Sequence, residues 1–178
     1  MADQAHNIEY STIVTAIARN GTEVGIRISG LGDQWFTDKA PIPEGLYFPG
    51  YSSKDANPDI GDSTITETVG LGGAAMAASP SIVKFVGGTI KDIQEMTDRF
   101  RRITITQNKY YIIPFAEFEG TPTGIDIRKI MQSGLTPKAN TGIAHKTPGI
   151  GQIGAGIVTL PIKPFKEALM SYARTYKI

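Results

Sequence analysis

Residues 11–29 read STIVTAIARNGTEVGIRIS, two β-rich runs of alternating character on either side of Asn20-Gly21. Asn-Gly suits a type I′ turn because both central residues there need φ > 0. The spacing predicts a hairpin, about Thr12–Ala18 paired with Glu23–Ser29. Everything downstream has to pack on that antiparallel unit. The chain then mixes strand-like and helix-like segments without a regular βαβ alternation, which predicts an α+β fold rather than a doubly wound parallel sheet. The expected architecture is a mixed sheet with an N-terminal hairpin, a buried helix of small residues, and packed amphipathic helices.

The punctuation after the hairpin is dense. Between Gly30 and Asp62 lie Pro41, Pro43, Pro49 and Pro58 among five glycines, which excludes long regular elements and leaves a long ordered loop or a set of short strands. Trp35, Phe36, Tyr47, Phe48 and Tyr51 are expected to pin this region to the core. Next, STITETVGLGGAAMAAS predicts one thin helix capped by Ser63 or Thr64, with Glu67 in its first turn where a carboxylate suits the helix dipole. A short helical piece is expected from Pro80 to Val86, ended by Gly87-Gly88. TIKDIQEMTDRFRRITI opens on Thr89 and Asp92 in the style of a capping box and carries apolar residues at helical spacing.

Beyond it, KYYIIPFAEFEG reads as a strand, GIDIRKIMQS as a short helix closed by Gly134, and the run after Lys138 as a strand. GAGIVTLP predicts another strand. KPFKEALMSYARTY closes the chain as a helix with Pro164 near its first position and Phe165, Ala168, Leu169, Tyr172 and Tyr176 on one face.

With 178 residues the chain fits one domain, 1–178, large enough to bury a real core. Its 18 Lys and Arg balance 17 Asp and Glu, so no field of one sign draws it to nucleic acid or to a membrane. Cysteine is absent, which removes disulfides and thiolate chemistry. MADQAHNIEY lacks a basic n-region and an apolar h-region, so a cytoplasmic location is expected.

The chemistry-bearing stretch is Asn140 to Gly156, NTGIAHKTPGIGQIGAG, with five glycines, a proline and a His-Lys pair. Its GIGQIG matches G-x-G-x-x-G, yet AGIVTLPIKP follows where a dinucleotide site needs a helix. The physical reading is a loop whose bare N–H groups converge on an anion, with His145 and Lys146 as further donors. Asn140, Thr141, Gly142, Gly149, Gly151 and Gly154 are the candidate binding residues; a structural glycine corner with a hydrogen-bonded histidine is the alternative. Asp55, Asn57, Asp59 and Asp62, ahead of Glu67, either hold a divalent cation such as magnesium or cap their own turns, and Asn57, Asp59 and Asp62 also count among the candidate substrate-binding residues. The spacing is not that of an EF-hand, so no metal site is assigned and no cofactor is expected. Arg27 and Arg128 are either ligand contacts or ion-pair partners.

RNGTEVGIRISGLGDQWF, GLYFPGY, DANPDIGDSTITETVGLGGAAMA, FVGGT, GTPTGIDIRKI and NTGIAHKTPGIGQIGAG, taken in order, resemble the YlbE-like family of bacterial proteins, a domain of unknown function. The resemblance covers nearly the whole chain. Typical family members are longer, and the chain resembles their C-terminal half, which implies a partner: the missing N-terminal half or a separate subunit supplying it. The family is linked to FdrA-like proteins in purine and allantoin breakdown and, in one branch, to oxamate carbamoyltransferase. That implies an oligomeric transferase subunit acting on small anionic substrates, with Lys146 and the glycine amides holding phosphate or carboxylate, and His145 polarising the carbonyl under attack. Glu67 joins His145 and Lys146 as a candidate catalytic group. The Ser-Thr-Arg-Thr and His-Pro-x-Gln motifs of classical transcarbamoylases are absent. A non-catalytic subunit whose glycines allow close packing is the competing expectation.

Overall fold

The computed structural model describes residues 2–61, 63–79, 81, 84 and 89–178. Asp62 and most of the segment from Pro80 to Gly88 lie outside these, and with them the expected short helix. The rest is α+β. Strands β1 (Val14–Asn20) and β2 (Glu23–Ile28) form the expected hairpin, with Ile17 opposite Ile26 and Arg19 opposite Val24.

The hairpin turn is not of type I′. Gly21 takes a left-handed φ of 86°, whereas Asn20 does not adopt a positive φ. Instead the Asn20 Oδ1 accepts hydrogen bonds from the amides of Thr22 and Glu23 at 3.0 and 2.7 Å and from the Thr22 hydroxyl at 2.8 Å. Asparagine here satisfies the turn amides with its side chain, so only one residue needs the left-handed region.

The Pro/Gly-rich region resolves into short strands β3 (Trp35–Lys39), β4 (Glu44–Tyr47) and β5 (Ile60–Gly61). β3 and β5 flank the hairpin in an antiparallel sheet of order β3-β2-β1-β5. β4 leaves to join a second sheet. Of the five aromatics expected to anchor this region, Phe36 is buried and Tyr47 packs on a small apolar cluster, but Trp35, Phe48 and Tyr51 are exposed. Strand alternation turns Trp35 outward when Phe36 faces in.

Residues 63–79 are two 3₁₀ helices, Ser63–Val69 and Gly72–Ala78, rather than one α-helix. Gly70 and Gly72, with φ of 85° and 60°, break the helix between them. The expected close packing does occur: Gly73, Ala74, Met76 and Ala77 are buried, and a Cβ on Gly73 would collide with the Lys138 carbonyl.

Helix α1 (Ile90–Ile103) starts on the expected capping box, in which the Asp92 carboxylate accepts from the Thr89 amide and hydroxyl at 2.6 Å. It ends at Ile103, because the β-branched run Thr104-Ile105-Thr106 enters strand β6 (Thr104–Ile113). β7 (Glu119–Ile125) pairs with β6 alone; its glycines and proline conceal it in the sequence. Helix α2 (Ile127–Ser133) is capped by Asp126 and closed by Gly134 in a left-handed conformation. β8 (Lys138–Ala144) and β9 (Gln152–Thr159) form an antiparallel hairpin, and β4 completes the sheet in the order β4-β9-β8. Helix α3 (Lys163–Tyr176) ends the chain.

One apolar cluster joins these elements. Ile26 and Ile28 of β2, Phe100 of α1, Ile125 of β7, Ile130 of α2 and Phe165 of α3 are all fully buried within it, each contributing about 1.5–3 kcal/mol of transfer free energy. The Tyr172 and Tyr176 hydroxyls of α3 donate to the carbonyls of Tyr10 and Gly30 at 2.7 and 2.8 Å, tying the helix across the β1–β2 unit. A satellite cluster of Ala56, Ile143 and Ile153 holds the turn end of the β8–β9 hairpin. Among the described residues no helix is long and apolar enough to cross a membrane.

Candidate functional site

β1, the segment leading into β5, and β8 are joined by a buried charged triad. The Arg19 Nε lies 2.8 Å from the Asp59 Oδ2, and both side chains are 1% exposed. The Thr141 hydroxyl donates to Asp59 Oδ1 at 2.9 Å and accepts from Arg19 Nη2 at 3.3 Å. Desolvation pushes the Asp59 carboxyl above its ordinary range, against the opposing pull of Arg19 and Thr141. Gly61 is required beside this pair, since a Cβ there would collide with the Arg19 guanidinium. The Arg19 Nη1 is buried and has no hydrogen-bond partner among the described residues. An orphaned buried donor of this kind costs about 1–3 kcal/mol.

Next to the triad is an open depression of ≈ 450 Å³. Ile60 and Gly61 of β5 line one part and Asn140, Gly142 and Ala144 of β8 another; Gly151, Gln152, Arg19 and Thr141 complete the wall. Four of the expected binding residues, Asn140, Thr141, Gly142 and Gly151, therefore meet in one place, with Asp59 hydrogen-bonded to one of them. Sequence reasoning missed Arg19 and Gln152. A signal for Arg19 existed: at strand spacing it shares a face with the core residue Ile17. An inward arginine demands a buried acid, but its partner lies forty positions on. Gln152 folds across Gly142 and donates from Nε2 to the Gly154 carbonyl at 2.8 Å.

The glycines are strand and turn residues rather than a convergent loop of amides. Gly154 lies between two strands, opposite Ile143 on one side and Tyr47 on the other. A Cβ on Gly45, Gly154 or Gly156 would collide with a backbone carbonyl of the neighbouring strand. Gly149 and Gly151 take φ of 90° and 87° in the β8–β9 connection.

His145 follows the lining residue Ala144, and its amide donates to the Gly151 carbonyl at 2.9 Å. Its ring meets Tyr51 edge-on with centroids 5.7 Å apart. The Nδ1 accepts from the Thr147 amide at 2.8 Å, which in the neutral ring places the proton on Nε2 and makes that nitrogen a donor. The Lys146 ammonium donates to the Lys54 carbonyl at 2.6 Å, and its amide to the Asp55 carbonyl at 2.8 Å. It therefore folds onto the 53–55 turn.

Glu67 does not line the depression. It is 2% exposed, and its carboxylate accepts from the Gly73 amide at 2.8 Å and the Thr66 hydroxyl at 3.3 Å. Desolvation pushes its pKa to about 7 despite those bonds and the influence of Arg19. The expected first-turn dipole partner is thus an interior carboxyl. Asp55 caps Ser52, and the Asn57 amide donates to the Pro58 carbonyl at 2.8 Å. Among the described residues no three acidic or histidine side chains group as metal ligands. Arg27 pairs with Asp33 at 3.1 Å and lies over Trp35; Arg128 pairs with Asp126 at 2.7 Å. Neither lines the depression.

The wall thus offers two side-chain amides, a threonine hydroxyl and a guanidinium already paired with a carboxylate. Such a set can exchange hydrogen bonds with a small polar ligand.

Residues 1–63 match the family model described as oxamate carbamoyltransferase subunit AllG. The chain is 48% identical over 176 residues to the uncharacterized protein YahG of Escherichia coli (strain K12), covering 99% of this chain and 37% of YahG. It is 47% identical over 177 residues to the oxamate carbamoyltransferase subunit AllG of the same organism, covering 99% of this chain and 42% of AllG. A crystal structure of a conserved protein of unknown function from Enterococcus faecalis V583 superposes with a TM-score of 0.95 at 49% identity, covering 98% of this chain and 42% of that one. Along nearly its whole length the chain is similar to these proteins, and it spans about two fifths of the length of the relatives it matches.

Proposed function

We propose that this chain is part of an oxamate carbamoyltransferase subunit of the AllG kind and that it holds a small carboxylate-bearing amide in the depression between β5 and β8. One observation carries the reading: Asn140, Gln152 and two members of the buried triad, Arg19 and Thr141, line a single opening, with Asp59 holding both from behind. Oxamate and oxalurate are small, planar and anionic, and each presents amide N–H groups beside a carboxylate. The Asn140 and Gln152 amides would take the ligand's amide edge, and Thr141 would hold the adjoining backbone in place. The pair Arg19–Asp59 is neutral as a unit, so it orients the wall rather than supplying a large attractive field.

His145 is the group best suited to the carbonyl under attack. Its amide is bonded to the Gly151 carbonyl and its Nδ1 accepts from the Thr147 amide, so in the neutral ring Nε2–H is a donor on the residue that follows the lining Ala144. A preorganised donor toward developing negative charge is worth about 2.7–4 kcal/mol in a closed site. Catalysis in this reading also needs the partner polypeptide, an FdrA-like subunit or the rest of the AllG-like chain, and a cytoplasmic setting.

A non-catalytic role is supported by a different observation. Gly45, Gly154 and Gly156 are explained by strand packing alone. Calorimetric titration of the chain with oxamate, oxalurate and phosphate separates the two readings. Binding that weakens tenfold or more in Asn140→Ala and Gln152→Ala supports the depression; heat from none of the three ligands leaves the packing role.

A further inference from the structure

The β6–β7 ribbon is a two-stranded sheet of its own, tied at its base by the Ile13–Asp126 bridge to the chain entering β1, and among the described residues its strands pair only with each other. The 72–78 segment and α1 pack against it. Elsewhere it displays large apolar side chains: Ile105, Tyr110, Ile112 and Phe118 are 53%, 82%, 46% and 67% exposed. A two-stranded ribbon with that much exposed apolar surface is marginal in water without a further strand or covering layer.

Two local devices hold those side chains out. Opposite Thr121 the pairing is interrupted, because Gln107 faces Pro122 whereas the next paired residue is Ile112 opposite Gly120. Asn108 organises the looped-out residues: its Oδ1 accepts from the Tyr110 and Tyr111 amides at 2.9 and 3.2 Å, and its Nδ2 donates to the Val69 carbonyl at 3.0 Å. At the ribbon's tip Glu117 and Phe118 both take left-handed φ, 51° and 61°. Neither is glycine, and a bulky residue in that region is a strained choice. The strained tip presents an aromatic ring to solvent, and the hydrogen-bonded bulge presents a tyrosine from an ordered backbone.

YahG and AllG contain additional polypeptide: about three fifths of their length lies outside the region this chain matches. In the Enterococcus faecalis protein the matched region keeps this fold inside such a longer chain. We propose that the β6–β7 ribbon is the docking element for that additional polypeptide, which covers Ile105, Tyr110, Ile112 and Phe118 and pairs along the ribbon's free edge. The inference rests on the similarity to the longer relatives and is independent of what the depression binds.

The test compares hydrogen exchange of residues 104–125 in the isolated 178-residue chain and in a full-length AllG-like protein containing it. Amides of 105–120 are expected to exchange at least tenfold more slowly in the longer protein. Equal rates overturn the proposal. A photo-crosslinking residue at Tyr110 of the full-length protein provides the second reading: cross-links to polypeptide outside the 178 residues support it, whereas cross-links only to the same region of a second copy, or none, contradict it. Tyr110→Ser with Phe118→Ser should leave the melting temperature of the isolated chain within a degree or two while abolishing the exchange difference; an unchanged difference rejects these side chains as the contact.

Discussion

Arg19 and Asp59 meet at 2.8 Å with both side chains 1% exposed, in a protein whose net charge is only +1. The pair closes the β1–β5 edge over β8 through Thr141. Removing one member strands a buried charge, which costs about 3–5 kcal/mol, whereas replacing both by apolar groups costs far less. Arg19→Leu and Asp59→Leu should each lower the urea midpoint sharply, and the double variant should recover much of the loss. A double variant as unstable as the sum of the singles would show that the two side chains do not act as a pair.

Glu67 makes stability depend on pH near neutrality. Its carboxyl pKa is raised from 4.5 to about 7 in the folded chain, so the folded state prefers it protonated. The stabilisation this gives is fully present below about pH 4.5 and is lost as pH rises through 7, and it amounts to roughly 3 kcal/mol. Glu67→Gln keeps an acceptor for the Gly73 amide and removes the titration. Melting temperatures taken between pH 5 and 8 should fall in the parent and stay flatter in the variant; parallel curves would assign the dependence to other groups.

Two glycines of similar sequence context should behave differently. A Cβ on Gly45 would strike the Ala155 carbonyl in the adjoining strand, whereas at Gly149 no atom lies within 4 Å and only the φ of 90° resists substitution. Gly45→Ala should therefore cost about 1–3 kcal/mol or more as β4 is forced off β9, and Gly149→Ala about 1 kcal/mol. Denaturant unfolding of the two variants reads the difference directly, and equal losses would remove the close-approach argument.

For His145 the expected effect lies in turnover. In a reconstituted enzyme His145→Ala should reduce kcat by about two to three orders of magnitude with little change in KM, because a donor to developing charge acts in the transition state. Lys146→Ala, whose ammonium is bonded to the Lys54 carbonyl, should change kcat less than His145→Ala does. The reverse ranking would exchange their roles.

Much of the fold was legible because its signals are local. Asn20-Gly21 between alternating runs marks the first hairpin, the Thr89–Asp92 box marks α1, and Pro164 with Gly134 bounds the last two helices. Long-range consequences were not legible. The Gly70–Gly72 break turns one expected helix into two because close contact with Thr121 and Thr123 on one side and Glu67 on the other leaves no room for side chains. β7 hides behind Pro122 and Gly124, which are tolerable because among the described residues the ribbon has no third strand. The same limit applies to the site: Asn140, Thr141, Gly142 and Gly151, which line the depression, are close in sequence, whereas Arg19 reaches them only through the sheet order.

The most direct test of the central claim is a two-dimensional amide NMR titration of the 178-residue chain with oxamate. The depression predicts saturable shifts concentrated on the backbone amides of Gly142, Ala144 and Gly151 and on the side-chain amides of Asn140 and Gln152. Shifts that are absent, or that gather elsewhere on the molecule, would contradict it.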